Sequence, residues 1–491
     1  MKKKAARPVT KTVKKTQKTT PLPSKTSSKA HNNWLSRYEL NCAVPHLAFP
    51  VISTASNLAV ISSLTQLENT QWWTPEKIRE MQFKQLYQLV QHSQKTVPFY
   101  KDYPKADSPE HLAEIWQEYP VLARGDINAN QTTLTSGKLL KAHGSVTTKY
   151  TSGSTGQPIG VKNTALSGVF WRAFTLRDHI WHQRNPDWKL GHIRISKTGQ
   201  AVYPGVTGHG WSSERGANAL IRTGPTAGLN INTPVEQQGK WLLDNDPDFL
   251  ITFPSIIHRL AQHFLDKGLK ANRLRQIETI SEIMTEETRA ICRKAFGIEL
   301  VDLYSTRELG YLALQCPEHP HYHVQSEGVF LEVVNDDGSP CLPGQPGKVL
   351  VTPLHNFAMP LIRYAVGDYA VLGPPCACGR GLPVLERILG RERNRLRHPD
   401  GSYRWISISA TDNGKLLAIA PIQEYQIIQN SLTELEFRIA VPEDPAPDQI
   451  RQLQEWARSA LHFPATITII AQRRLERSAN GKLELFKSLI D

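Results

Sequence analysis

The stretch from residue 233 to 304 constrains the fold more than any other part of the chain. Phe249 to Phe253 (FLITF) is a short continuous apolar run, the pattern of a strand buried on both faces. Thr233-Pro234-Val235-Glu236 before it reads as a capping box opening one helix, and Ser255 after it as the cap of a second helix running to Gly268. Glu278 to Ser281 (ETIS) then reads as a strand, Thr285 as the cap of a helix stopped near Gly297, and Glu299 to Tyr304 (ELVDLY) as a further strand. Strands alternating with single helices require right-handed crossovers, and hence an α/β fold built on a parallel sheet. Ligands of such sheets bind beyond the carboxyl ends of the strands, which makes Tyr304 to Glu308 well placed for a site.

The flanks differ in character. Thr74-Pro75 is an N-cap with proline at the first helical position, and Ile78, Met81, Leu86, Leu89 and Val90 follow at helical spacing up to Val97-Pro98. Near the C-terminus the order becomes strand (435–441), helix (448–461), strand (466–471), which predicts a small α+β domain. At 491 residues the chain has room for two to four domains of about 150 residues each. Its formal charge of +13 is concentrated: ten of the 58 basic residues and no acid fall in residues 1–30, leaving 48 basic against 45 acidic residues elsewhere. That basic tail lacks apolar periodicity and is expected to be disordered; it also lacks aromatics to interleave with bases, so nucleic acid is not an expected partner. No secretion signal or membrane span is expected, since the apolar run 43–64 is interrupted by Pro45, His46, Pro50 and Asn57. Six irregularly spaced cysteines then favour reduced thiols or a metal site in a reducing cytoplasm.

The segment 150–160 (YTSGSTGQPIG) packs four hydroxyls and two glycines into Thr151, Ser152, Gly153, Ser154, Thr155 and Gly156. Glycines admit backbone N–H groups to a phosphate, and short hydroxyls add donors without bulk. The Gly-Lys-Ser/Thr ending of a Walker loop is missing, with Lys162 in the wrong place. Four more stretches follow in order: YSTRE (304–308), PLIRYAVGD (360–368), Gly390-Arg391, and Asn480-Gly481-Lys482. Together the five resemble the signatures of the adenylate-forming superfamily, and within it the phenylacetate-coenzyme A ligase type and its capsular-polysaccharide-associated (CapK-like) relatives. The resemblance runs from about residue 70 to the end.

This resemblance implies a large AMP-binding domain over 32–391, with mixed and parallel sheets and flanking helices, after a tail of 1–31. A small mobile α+β domain would occupy 392–491. It also implies roles. The loop Thr151 to Gly156 would hold the departing pyrophosphate of ATP, and Glu308 would hold Mg²⁺. Asp368 would accept hydrogen bonds from the ribose, Arg391 would donate to ribose or phosphate, and Tyr304 would pack on adenine. Asp302 or the Ser281-Glu282 turn would read the adenine edge. Lys482 would stabilise the pentacovalent phosphorus. Such charge neutralisation is what the attack of a carboxylate on a phosphate demands.

The chain departs from the family pattern at Arg307, in place of the usual Thr or Ser, at Ser305, in place of Gly, and at Arg393, where the hinge usually carries Asp. Arg307 is able to grip phosphate, or to pair with Glu308 in competition with Mg²⁺.

Cys316, His323, Cys376 and Cys378 supply four ligands, enough for a closed tetrahedral Zn²⁺ site of structural type. Some relatives carry a similar set; His319 and His321 are rival ligands, so the choice of His323 rests on the resemblance. The acid would lie near 203–211 (YPGVTGHGW) and Phe253, whose aromatics fit an aryl or fatty acyl chain. The expected reaction is ATP-dependent activation of a carboxylic acid to acyl-AMP, then transfer to a thiol, coenzyme A foremost. The alternatives are transfer to a carrier protein, amine or sugar in surface polysaccharide biosynthesis, and a non-catalytic nucleotide-binding descendant. A homodimer is left open.

Overall fold

The computed structural model describes residues 38–150, 158–197, 199–211, 220–406, 408, 410–463, 466–477 and 483–490. The tail expected over 1–31, the loop Thr151 to Gly156, and Lys482 lie outside the described residues.

A twelve-stranded sheet organises residues 190–391. Leu190–Arg194, Pro225–Asn230, Phe249–Thr252, Gln276–Thr279 and Leu300–Thr306 form its parallel part, with neighbours in the order 300–306, 276–279, 249–252, 190–194, 225–230. Val206–His209 closes that edge antiparallel. From Leu300–Thr306 the sheet continues antiparallel through Gly310–Gln315, Tyr322–Val324, Val384–Arg391, Tyr364–Leu372, Pro346–Pro353 and Val329–Val334. Leu300–Thr306 is thus a seam, parallel to one neighbour and antiparallel to the other.

The expected parallel strands and the helices between them form within a few residues of their predicted bounds. Thr285 caps Glu286–Phe296 by accepting from Thr288 N–H, and Gly297 ends that helix in the left-handed region. Thr74 caps Pro75–Thr96 in the same way through Lys77 N–H. Two cap assignments are corrected. The helix expected from Ser255 opens at Pro254, a residue suited to the first turn because its missing N–H is not needed there; the Ser255 hydroxyl instead accepts from Arg477. The capping box at Thr233 does not form: Pro234 is the cap of Val235–Asn245 and makes no side-chain bond to it.

The helices 235–245, 254–267 and 286–296 pack on the parallel strands around Trp241, Leu250, Phe264 and Ile277. A second core joins Ala55–Thr70 and Ala165–Trp181 to the seam through Phe174, Leu303 and Leu314. The antiparallel half has its own core, with Phe83, Trp116, Val351 and Tyr364. Beyond residue 395, Glu424–Ser431, Glu434–Ala440, Thr466–Gln472 and Phe486–Ser488 form a four-stranded sheet covered by Pro447–Leu461, where Trp456 stacks on Phe437 at 5.3 Å. This strand–helix–strand order matches the α+β expectation, and its core is separate from the others. Among the described residues no helix is long and apolar enough to cross a membrane.

Arg363 fixes the strand that leads to the site. It is buried, pairs with Glu332 at 3.2 Å, and donates to the carbonyls of Tyr119 (2.7 Å) and Gln117 (3.2 Å). Removing one partner of a buried pair strands the other's charge, typically at about 3–5 kcal/mol. Arg363→Met should therefore lower the unfolding free energy by about that amount in guanidinium titrations followed by tryptophan fluorescence, and a loss below about 1 kcal/mol would contradict this account.

Candidate active site

A cavity of about 1510 Å³ opens beyond the carboxyl ends of the parallel strands and reaches the C-terminal segment. Tyr304, at the end of the seam strand, donates its hydroxyl to Asp368 Oδ2 at 2.7 Å. Arg391 Nε meets Asp368 Oδ1 at 2.9 Å, and Arg391 Nη1 donates to the carbonyl of Val366 at 2.9 Å. Burial, reinforced by the Asp368 charge, pushes the Tyr304 phenol well above its ordinary value, so it remains a donor. Asp368 in turn raises the Arg391 pKa. The register pairs Asp368 with Arg391 across adjacent strands, bringing two of the distant motifs together by backbone geometry.

Glu308 and Arg307 line the same cavity, Glu308 buried and Arg307 exposed within it. Among the described residues no ion pair joins them, and the Glu308 carboxylate has no hydrogen-bond partner. A buried carboxylate left in that state fits a hard cation. Ser281 lines the cavity too, held at a positive φ of 74°. Glu282 beside it is spent on structure: its carboxylate accepts from Ser255 N–H and from Leu483 N–H, both at 2.9 Å. Burial raises its pKa, and Arg477 at 3.7 Å opposes the rise. Leu483 directly follows Lys482, so this bond seats the C-terminal segment at the cavity. Arg477 also pairs with Glu424, as does Arg259 at 3.3 Å.

Asp302 sits deeper. It accepts from Thr279 and from the Tyr322 hydroxyl, each at 2.7 Å. Tyr322 stands between His321 and His323, and these belong to a compact donor cluster with Cys316, Cys376 and Cys378. Donor atoms of Cys316, His321, His323 and Cys376 lie within 4.8 Å of one another. Cys316 Sγ is 3.8 Å from Cys376 Sγ, His321 Nε2 is 3.0 Å from Cys376 Sγ, and Cys378 Sγ is 3.3 Å from His323 Nε2. His323 Nδ1 faces the Leu382 carbonyl at 3.3 Å, which leaves Nε2 for the cluster. The hydrogen bond between Cys316 and Cys378 holds the Cys378 thiol far below its ordinary value and pushes Cys316 up.

The structure brings together the described members of the predicted set, and His321, a rival to His323 in the sequence, stands in the cluster beside it. It adds residues that had no motif to mark them: Arg477 and Tyr322 secure Glu282 and Asp302. Their sequence signal was only the ordinary one of a charged or aromatic residue near a strand.

Fold and site define a two-domain α/β protein with a nucleotide-sized cleft at the sheet's carboxyl rim. The AMP-binding enzyme family matches residues 65–358, more than half of the sequence, and the chain belongs to that family. It is 26% identical to the phenylacetate-coenzyme A ligase of Thermus thermophilus over 389 residues, 75% of this chain and 82% of that protein. Identity to the phenylacetate-coenzyme A ligase of Escherichia coli K12 is 25% over 351 residues, 68% and 75% of the two chains. In fold it resembles 2-hydroxyisobutyryl-CoA ligase in its postadenylation state in complex with R3-HIB-AMP, at a TM-score of 0.63 and 16% identity, over 85% of this chain and 90% of that one.

Burial raises Asp302 to about 6, against the hydrogen bonds it accepts. A carboxyl whose folded pKa exceeds its unfolded value stabilises the fold below about pH 4 and loses that contribution as the pH rises through 6. A shift of about two units, at ~1.4 kcal/mol each, amounts to about 3 kcal/mol. Asp302→Asn should flatten the stability profile across that window in urea unfolding at pH 4 to 7. An unchanged slope would mean that Asp302 ionises normally.

Proposed function

We propose that this protein activates a carboxylic acid with ATP. A carboxylate oxygen attacks the α-phosphorus, the bond to the β-phosphate oxygen breaks, and pyrophosphate leaves. A thiolate, that of coenzyme A, then attacks the acyl carbon and releases AMP. The observation that carries this reading is the convergence of Tyr304, Glu308, Asp368 and Arg391, from separate parts of the chain, on one cavity that the segment after Lys482 also reaches. The phenylacetate-coenzyme A ligases similar to this chain support the choice of acceptor.

In this reading Asp368, already oriented by Tyr304 and Arg391, accepts the ribose hydroxyls, and Arg391 faces ribose or phosphate. Tyr304 packs on adenine, and Ser281 presents the turn beside it. Asp302 holds the floor of the adenine end through Thr279 and Tyr322. The loop Thr151 to Gly156 cradles the phosphates, and Arg307, not paired with Glu308, adds a cation to them. Glu308 would hold Mg²⁺, which neutralises phosphate charge when bound. Lys482 delivers a cation to the α-phosphate from the small domain.

The cysteine–histidine cluster fits zinc. In a tetrahedron of Zn–S bonds near 2.3 Å, sulfurs stand about 3.8 Å apart, the separation seen between Cys316 and Cys376. Cys316, Cys376, Cys378 and His323 would hold the ion, with His321 alongside. Its role would be structural, tying the strand that carries Tyr322 to the 376–378 loop.

Carboxylate-dependent exchange of labelled pyrophosphate into ATP, across an acid library, tests the reading, and added coenzyme A should convert the product to a thioester. Lys482→Ala should slow exchange roughly 100- to 1000-fold while sparing ATP binding, as the loss of one preorganised donor does. No exchange with any acid would defeat it. Purified protein should carry about one equivalent of zinc; less than about 0.2 equivalent without chelator, with all ligands present, would remove the metal from the account.

A further inference from the structure

The cavity does not end at the nucleotide residues. Along its rim the strands ending near Tyr304, Ile280, Phe253 and Arg194 are successive neighbours. At about 4.8 Å per strand, Arg194 stands roughly 14 Å along the sheet from Tyr304. If the nucleotide lies at Tyr304 and Asp368, as the carboxylate-activation reading on which this inference rests requires, the far end receives the acid.

That end is lined by Trp171 and Trp211, and by Thr175 and Tyr311, whose hydroxyls are 3.0 Å apart. It also carries an unusual charge set. Arg184 is fully buried, contacts both Asp178 and Glu278, and donates to Gln276 Oε1 at 2.6 Å. The Asp178 and Glu278 carboxyls thus face the same guanidinium. Burial pushes Glu278 up to about 8. Burial also acts to raise Asp178, but Arg184 overrides it and keeps that group ionised. Burial lowers neighbouring His179 to about 3 and His182 to about 4, leaving both neutral. Both carboxyls at this end are therefore engaged by Arg184.

Arg194 is the remainder. Its side chain is exposed and lines the cavity, and burial of its surroundings lowers its pKa. Among the described residues it has no ion pair or hydrogen-bond partner, and the described carboxyl whose charge acts on it, Glu278, is in contact with Arg184. An apolar acyl chain laid over this guanidinium would strip its water without supplying a counter-ion, which is costly. A planar fork of donors is matched by a carboxylate or similar anion.

We propose that Arg194 sets specificity in the acid pocket, and that the acid activated here bears a second anionic group, such as a second carboxylate, at the end remote from the reacting one. The Trp171 and Trp211 rings flank the connecting chain. An acid with a single carboxylate and a hydrocarbon body, such as phenylacetate, leaves Arg194 facing hydrocarbon and is a poor substrate.

The test is pyrophosphate exchange by the full chain with matched pairs: hexanoate and adipate, phenylacetate and 4-carboxyphenylacetate. The diacid of at least one pair should exceed its partner at least tenfold in kcat/KM. Arg194→Met should lower the diacid rate about 100-fold, as a site does when it loses a charged hydrogen-bonding partner, while monoacid rates stay within about threefold or rise. Arg194→Lys, which keeps the charge without the fork, should fall between and serves as the comparison if the Met variant folds poorly. Glu278→Gln, mimicking the protonated group, should leave the preference intact.

Exchange confined to monoacids would overturn the proposal. So would an equal loss across all acids in Arg194→Met, since that would make Arg194 the holder of the reacting carboxylate. A diacid preference created only by Glu278→Gln would show that Glu278 neutralises Arg194 in the native protein, and would overturn it as well. Silence with every acid would instead defeat carboxylate activation itself. Calorimetric titration of adipate and 4-carboxyphenylacetate into native and Arg194→Met protein then decides the pocket separately: binding lost in the variant supports the charge recognition, and equal binding or none refutes it.

Discussion

The carboxylate of Asp368 is the point through which the parts of this molecule are joined. One oxygen accepts the Tyr304 hydroxyl from the seam strand, and the other meets Arg391, the last residue of Val384–Arg391. Hydrogen bonds to charged groups contribute about 1.5–3 kcal/mol each, more than neutral ones, and this pair of bonds is mostly shielded from water. They set the distance between the parallel half, the antiparallel half and the start of the linker to the small domain. Both oxygens retain lone pairs, so the same group that closes the sheet is available to a ligand.

The seam explains why a site forms there. Ligands of open α/β sheets gather where strand direction or order changes. Leu300–Thr306 has a parallel neighbour at Gln276–Thr279 and an antiparallel one at Gly310–Gln315. Thr279 and Tyr322 reach Asp302 from opposite sides of that strand. Tyr322 is itself bracketed by two histidines of the sulfur–nitrogen cluster, so any ion held there stiffens the floor of the cleft through a single phenol.

Legibility in the sequence followed locality. The strands around Leu250, Ile277 and Val301 could be read because each is a short apolar run between capped helices, and a parallel sheet follows from that alternation alone. The antiparallel strands from Gly310 to Arg391 alternate less clearly, with both faces buried in places, and their pairing order depends on contacts that no local pattern encodes. Of the site residues, Tyr304, Glu308, Asp368 and Arg391 were visible because they stand in short ordered motifs. Arg194, Asp178 and Glu278 were not: they stand in no motif, 16 to 100 residues apart in sequence, and their significance lies in which charges the fold brings together. Glu282 shows the opposite case, a motif-adjacent carboxylate whose atoms are occupied by two backbone N–H groups.

The link between the domains bears on how Arg393 can stand where related chains carry an acid. Arg393 pairs with Glu484, and Asn394 donates to the carbonyl of Phe486 while accepting from Arg391 N–H at 2.8 Å. The partners of Arg393 and Asn394 in the C-terminal segment would travel with the small domain, so these contacts would survive its rotation. Gly390, at a φ of +101°, lies so close to Ile283 that a Cβ there would come within 2.2 Å of its side chain. A rotation absorbed at Gly390 and Arg391 would break, among others, the contacts of Glu282 with Leu483 and Arg477, of Arg477 with Ser255 and of Arg259 with Glu424. An acid at 393 would repel Glu484, whereas Arg393 pairs with it and ties the start of the small domain to its last strand.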